Sequence, residues 1–225
     1  LSIIGDFDVL EAGAFVDGFA PIATVAEPFV GNFNGNNKTI YNIQIVSTGT
    51  YGAMFVRNLG IIDDLAIDTK AQNGAYADVA TLPASVDLKT TGAAYAAAIA
   101  ARNNGTITGA TVNVDVTATS DTFKSYVAGL VAENTGAVDG SKNSGIILAK
   151  FSDTAYTQSY KNIAANADIK VAGAVAVNKS GAVVTDCYSN NSARSELTSA
   201  STTDGIVEAI YIADNQATET VNAAG

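Results

Sequence analysis

Gly52-Ala-Met-Phe-Val-Arg-Asn-Leu-Gly60 is echoed further along the chain as Ala97-Ala-Ile-Ala-Ala-Arg-Asn-Asn-Gly105. It returns twice more, as Ala128-Gly-Leu-Val-Ala-Glu-Asn-Thr-Gly136 and as Ala172-Gly-Ala-Val-Ala-Val-Asn-Lys-Ser-Gly181. Each copy carries a small or glycine pair, a short apolar run, one variable residue, an Asn, and a Gly shortly after. A β-type pair then follows: Ile61-Ile62, Thr106-Ile107, Ala137-Val138 or Val183-Val184. Self-similarity of this kind belongs to repeat architectures, in which each unit buries its apolar face only against its neighbours. It decides the architecture before any single residue does.

The flanking sequence points the same way. In Phe29–Ile45 apolar residues alternate with polar ones in short bursts, broken by Gly31, Gly35 and the pair Asn36-Asn37. Strands of a few residues separated by Asn and Gly corners suit a coil, because both residues tolerate the left-handed backbone of a sharp turn. Thr111–Thr117 alternates so that Val112, Val114 and Val116 share one face. The Ala-rich stretch 92–101 aligns with the other repeats and is read as a strand of small residues. The expected fold is therefore all-β: a right-handed parallel β-helix (β-solenoid) with loop insertions, the hand following from the preference of parallel crossovers. Its interior should hold Ile40, Phe55, Ile99, Leu130, Val131 and Val175.

The marker residues Asn58, Asn103, Asn134 and Asn178 lie 45, 31 and 44 residues apart. That spacing fits coils of roughly 20–30 residues, about seven to ten in all, carrying insertions. The insertions are placed at 70–91 and 141–168. A single β-helix domain is expected over 1–215, closed by a degraded repeat at Ile206–Asn215, with a polar tail at 216–225. No signal peptide is visible and the chain opens at Leu1 in strand-like sequence, so a removed leader or a longer parent chain is expected.

Composition narrows the partners. Apolar residues make up 48% of the chain and charged ones 15%, with no Trp. The 12 basic residues against 22 acidic give a net charge of −10 and a pI near 4.3. Such a chain repels phosphate backbones, so nucleic acid is a poor partner. No stretch approaches the run of about 18 apolar residues that a membrane span needs. The one cysteine, Cys187, sits at a strand end, where a buried thiol acts as a small hydrophobe.

Phe19-Ala-Pro-Ile22, the phrase Pro28–Ile45 and Gly52-Ala-Met-Phe55 together resemble the GLUG family of bacterial surface and secreted proteins. Later copies match it through Gly129-Leu130, Asn134, Gly136 and Asp186-Cys187-Tyr188, although Ala replaces the second core Gly in several of them. The family includes adhesin-like proteins and non-catalytic regions of immunoglobulin-A-cleaving metallopeptidases. The resemblance implies a parallel β-helix displayed outside the cell and implies no shared chemistry.

The chain has no histidine. That removes Ser-His-Asp and Cys-His nucleophilic systems and the HExxH metal site. Carboxylate chemistry on sugars, as in β-helix lyases and glycosidases, would have to use Asp63, Asp64, Asp68, Asp115 or Asp139 with Arg57 or Arg102. None lies in a recognisable motif, and Asp63 and Asp64 would face opposite sides if both were extended. Asp6, Asp8, Asp63 and Asp64 offer hard oxygens to calcium, but no EF-hand or nonapeptide loop is present, so no cofactor is expected beyond calcium as a weak candidate. Threonine pairs at 48/50, 106/108 and 117/119 fall at different offsets from the marker Asn, which argues against an ice-binding array.

Asn58, Asn103, Asn134 and Asn178, with Gly60, Gly105, Gly136 and Gly181, are read as structural repeat positions whose amides run along the stack. The candidate ligand-binding residues are Tyr76, Tyr95, Tyr126, Tyr156 and Tyr160, placed in or beside the insertions, where a flat apolar face with a hydroxyl suits sugars or protein surfaces. The expected function is a non-catalytic, extracellular or cell-surface binding module, adhesin-like, recognising a glycan or a host or matrix protein. A structural spacer or surface-lattice subunit is the first rival and a polysaccharide lyase or glycosidase the second.

Overall fold

The structure is a computed structural model that describes residues 2–9, 18–70, 83–122, 124–151, 168–189, 193–197 and 212–215. Within these the fold is all-β, and every pairing between strands is parallel. The strands form five sheets, one of six strands, three of five and one of four. Each sheet collects one short strand from each successive coil. The asparagine sheet, for example, consists of Phe55–Asn58, Ala100–Asn103, Val131–Asn134, Val175–Asn178 and Ile212–Asn215.

Five strands per coil change the expected arithmetic. A turn of 31 to 45 residues is one coil, so among the described residues no sheet exceeds six strands, and the seven to ten coils expected above are too many. The expected insertions also shrink at their edges. Ser85–Thr90 pairs with Gln44–Ser47 on one side and Asp115–Ser120 on the other. Lys142–Asn143 and Ile147–Phe151 are likewise strands inside sheets. Alternation is the cause, since it sends Val86, Leu88, Ile147, Ala149 and Phe151 into the core. Residues 71–82, 152–167 and the tail 216–225 lie outside the described residues.

The core is a column of stacked aliphatic and alanine side chains. Phe55, Ile99, Leu130, Val131 and Val175 are fully buried and Ile40 nearly so. Val112, Val114 and Val116 all point inward. Each fully buried side chain of this size contributes about 1.5–3 kcal/mol. Bulk is concentrated in the early coils, where Phe55 packs against Phe29 and Phe33 with ring centroids 5.1 and 5.6 Å away. In the following coils the position of Phe55 is taken by Ala100, Val131 and Val175.

Two inner rows bind coil to coil. The Nδ2 of Asn58 donates to Asn103 Oδ1 at 2.8 Å, Asn103 donates to Asn134 at 2.8 Å, and Asn134 donates to Asn178 at 2.8 Å. All four are at most 1% exposed. The same side chains close the corner that follows, as Gly60 N–H donates to Asn58 Oδ1 at 3.0 Å and Gly136 N–H to Asn134 Oδ1 at 3.2 Å. Next to this row runs one of glycines. A Cβ added at Gly60, Gly105 or Gly136 would lie 2.0, 2.1 or 2.0 Å from the carbonyl oxygen of Gly31, Gly60 or Gly105. Glycine is required there because backbone approaches backbone.

Gly181 departs from its companions. One more residue separates it from Asn178, so it sits in a left-handed turn (φ 80°), closed by Ala182 N–H donating to Lys179 C=O at 3.0 Å. A Cβ there would meet nothing within 4 Å. A second corner uses left-handed residues in four coils running: Asp64, Gly109, Gly140 and Asp186, with φ of 51°, 62°, 56° and 48°. Asp tolerates this conformation through local hydrogen bonding, so Asp63 and Asp64 are not extended neighbours.

Candidate functional site

The outer surface where the asparagine sheet meets the tyrosine sheet brings together Tyr95, Tyr126, Arg57 and Arg102 among the sequence candidates. The tyrosine sheet consists of Tyr51–Gly52, Ala94–Ala97, Lys124–Ala128 and Asp168–Ala172. Its register aligns Tyr51, Tyr95, Tyr126 and Lys170 in one row. Because Ala94, Ala96 and Val127 belong to the core, alternation turns Tyr95, Ala97, Tyr126 and Ala128 outward. On the asparagine sheet a parallel row holds Arg57, Arg102, Glu133 and Val177. Small residues between the rows (Ala53, Ala97, Ala101, Ala128, Ala132 and Ala176) let the two packed rows approach each other.

The tyrosines form a ladder. Tyr51 and Tyr95 have ring centroids 5.3 Å apart with planes tilted by 36°; Tyr95 and Tyr126 meet edge to face at 4.9 Å. The Arg102 guanidinium lies over two of them, 5.6 Å from the Tyr51 ring centre and 5.5 Å from that of Tyr95. Such cation–π contacts are worth about 0.5–2 kcal/mol, more as water is excluded. The Nε of Arg102 is 3.4 Å from Glu133 Oε1, and Lys179 Nζ is 3.7 Å from Glu133 Oε2. That Nε is buried and misaligned for a hydrogen bond. At the other end Tyr126 O–H donates to Asp168, which is also paired with Lys170 Nζ at 3.0 Å.

Electrostatics follow from these contacts. Burial, reinforced by the Asp168 carboxylate that accepts its proton, holds the Tyr126 hydroxyl well above the usual phenol range. Burial and then Glu133 raise Tyr95. Burial opposes the charge on Asp168, but the hydrogen bonds from Tyr126 and Lys170 outweigh it and bring its carboxyl below the usual range. Both tyrosines therefore stay neutral at physiological pH, so they offer rings and hydrogen bonds and no general base.

Tyr95 and Tyr126 are strand residues of the stack, only 8% and 7% exposed. They do not sit in or beside insertions as the sequence suggested, because they occupy the same offset before the marker Asn in successive coils. Tyr76, Tyr156 and Tyr160 lie outside the described residues. Tyr51, Glu133, Asp168 and Lys170 were missed. The signal was present, since the variable residue before each marker Asn is the arginine–glutamate row, and Tyr95, Tyr126 and Lys170 each stand eight residues before it.

The aspartates considered for catalysis or calcium are scattered, and those described next are engaged in hydrogen bonds. Asp63 accepts from Thr108 Oγ1 at 2.7 Å and Asp139 from Thr185 Oγ1. Asp68 accepts from Asn113 at 2.9 Å and Asp115 from the Ile146 N–H at 2.7 Å. Asp6 accepts from the Thr39 N–H at 2.9 Å and Asp8 from Asn42 at 3.1 Å. Among the described residues no three metal-ligating side chains converge, and no helix is long and apolar enough to cross a membrane. Cys187 is buried, and burial pushes its thiol up to about 11. Thr108 stacks with Asp63 and Asp139, and Thr117 with Asp87 and Leu148, so the threonine pairs form no common array. Two shallow depressions lie elsewhere, one lined by Thr39, Ala66, Asp68, Thr111, Asn113 and Lys142, the other by Lys89, Thr119 and Asp121.

No protein-family model and no curated protein matches the chain. Among solved structures it is similar to that of a candidate immunoglobulin A1 protease from Bacteroides ovatus, with a TM-score of 0.47 and 13% identity. The match covers 96% of this chain and 77% of the other. At that distance the likeness carries no argument about fold or activity.

Proposed function

We propose that the chain is a right-handed parallel β-helix of the GLUG kind that serves outside the cell as a non-catalytic binding module, and that it takes a glycan on the face between the tyrosine and arginine rows. The observation that carries this reading is a ladder of three tyrosines, two of them overlaid by a guanidinium, on the outer wall of an otherwise acidic solenoid. Sugar rings pack their apolar C–H faces against aromatic side chains while their hydroxyls take hydrogen bonds from neighbouring charged groups. The right hand is favoured by the steric rule for parallel crossovers. The scattered, hydrogen-bonded carboxylates support binding without turnover.

The test is to incubate the protein with plant, bacterial and mucosal polysaccharides, recording both depletion from solution and new reducing or unsaturated ends. Depletion without new ends is the expected result; released ends would replace this reading with that of an enzyme. A second reading, the structural spacer, is favoured by the continuous asparagine row and by the glycine row that accompanies it as far as Gly136. It predicts no depletion on any polymer.

A further inference from the structure

The binding face is an island of positive charge on an acidic protein. Five cations gather there: Arg57, Arg102, Lys124, Lys170 and Lys179. They are opposed among the described residues by two carboxylates, Glu133 and Asp168, whereas the chain as a whole carries −10. Two of the three arginines stand in register on neighbouring coils, about 4.8 Å apart at the backbone. Like charges so placed repel unless something negative meets them. Glu133 serves Arg102 and Lys179. Arg57 binds only neutral acceptors among the described residues, Asn104 Oδ1 at 3.0 Å and the Val25 carbonyl at 3.3 Å. Among the described residues its charge has no counter-charge, at the end of the face where the tyrosine ladder begins with the partly exposed Tyr51.

From this we infer that the ligand is a carboxylate-bearing sugar, with Arg57 meeting the carboxylate and Tyr51 the apolar face of the ring. The inference rests on the glycan-binding reading above and adds the charge of the ligand. Guanidinium favours planar carboxylates because its N–H groups form a matching fork. The surrounding negative charge also selects. At physiological ionic strength screening acts over about 8 Å, so a single carboxylate sees mainly the island, while a densely charged polyanion extends onto acidic surface. Isolated uronate or sialate residues fit better than a continuous polyanion.

The experiment is a titration of the protein with uronate- and sialate-bearing oligosaccharides, each beside its own methyl ester, at low and at physiological salt. The esters keep the ring and remove the charge. At least one acid is expected to bind more tightly than its ester, with affinity falling as salt rises. Arg57→Gln should lower that affinity about tenfold, the scale of one charge-assisted hydrogen bond, and Arg57→Lys should recover part of it. The melting temperature of each variant separates loss of binding from loss of fold. Esters that bind as well as the acids, or an Arg57→Gln variant that binds the acid unchanged, would overturn the charge assignment while leaving the glycan-binding reading intact. Failure of every acid and every ester to bind would overturn the charge assignment, and if no polysaccharide of the wider panel depletes the protein either, the glycan-binding reading falls with it.

Discussion

The inner and outer faces of the same strands obey different rules. Inside the asparagine sheet one residue type repeats: Asn58, Asn103, Asn134 and Asn178 are joined by near-identical hydrogen bonds and buried to the same degree. Outside, the adjoining position reads Arg57, Arg102, Glu133 and Val177, and its neighbouring row Tyr51, Tyr95, Tyr126 and Lys170. An inner amide must match the amide above and below it, so stacking enforces identity. An outer side chain need not match its neighbour in type, since rings, guanidinium and carboxylate pack on one another in several combinations, so it is free to differ from coil to coil.

The contrast can be broken most severely at the core. Leu130→Asp places a charge in a fully buried position and should cost more than about 4 kcal/mol, unfolding neighbouring coils along with its own. Loss of the cooperative transition in circular dichroism is expected; a wild-type melting temperature would contradict the solenoid packing. Asn134→Leu breaks both the link accepted from Asn103 and the one given to Asn178, and removes one of the two acceptors of the Gly136 N–H, an expected loss of about 3 kcal/mol in urea unfolding. Gly105→Ala forces a Cβ to 2.1 Å from the Gly60 carbonyl and should cost about 2–3 kcal/mol by separating two coils. The same change at Gly181, which relies on no close approach, strains only its own left-handed turn and should cost less, about 1–2 kcal/mol.

Outer changes should be milder. Tyr126→Phe removes one hydroxyl and should lower stability by about 1 kcal/mol or less. Asp168 gives the smallest effect and a sign that can be checked. Its folded-state carboxyl titrates below the usual range, so its contribution is complete above the ordinary aspartate value and fades as pH falls through the lower, folded value. Asp168→Asn should therefore narrow the gap to wild type as solutions are taken toward strong acid, and leave a constant, small difference near neutrality.

Much of the architecture was legible because stacking leaves a periodic trace. The marker Asn, the following Gly and the alternating valines of Thr111–Thr117 are all demanded by contacts that recur in every coil. Coil number was misjudged because periodic phrases give the distance between coils but not how many strands fill it; Ser85–Thr90 and Ile147–Phe151 looked like insertions when they are a fifth sheet. Asp64 and Asp186 were missed as corners because Asp in a left-handed turn looks the same in sequence as a solvated Asp. The candidate face was only half legible. Tyr95, Tyr126, Arg57 and Arg102 stood out as residue types, but their meeting on one wall depends on how coils stack in register, which no local pattern records.

The most direct measurement compares wild type with the double variant Arg57→Gln, Arg102→Gln, following polysaccharide depletion and thermal unfolding in one buffer. If inner rows hold the fold and outer rows hold the ligand, the variant should melt within a few degrees of wild type, reflecting a loss of about 1–2 kcal/mol, while losing most of its retention on the polymer that captures wild type. A variant that melts like wild type and is captured equally well would contradict that division of labour.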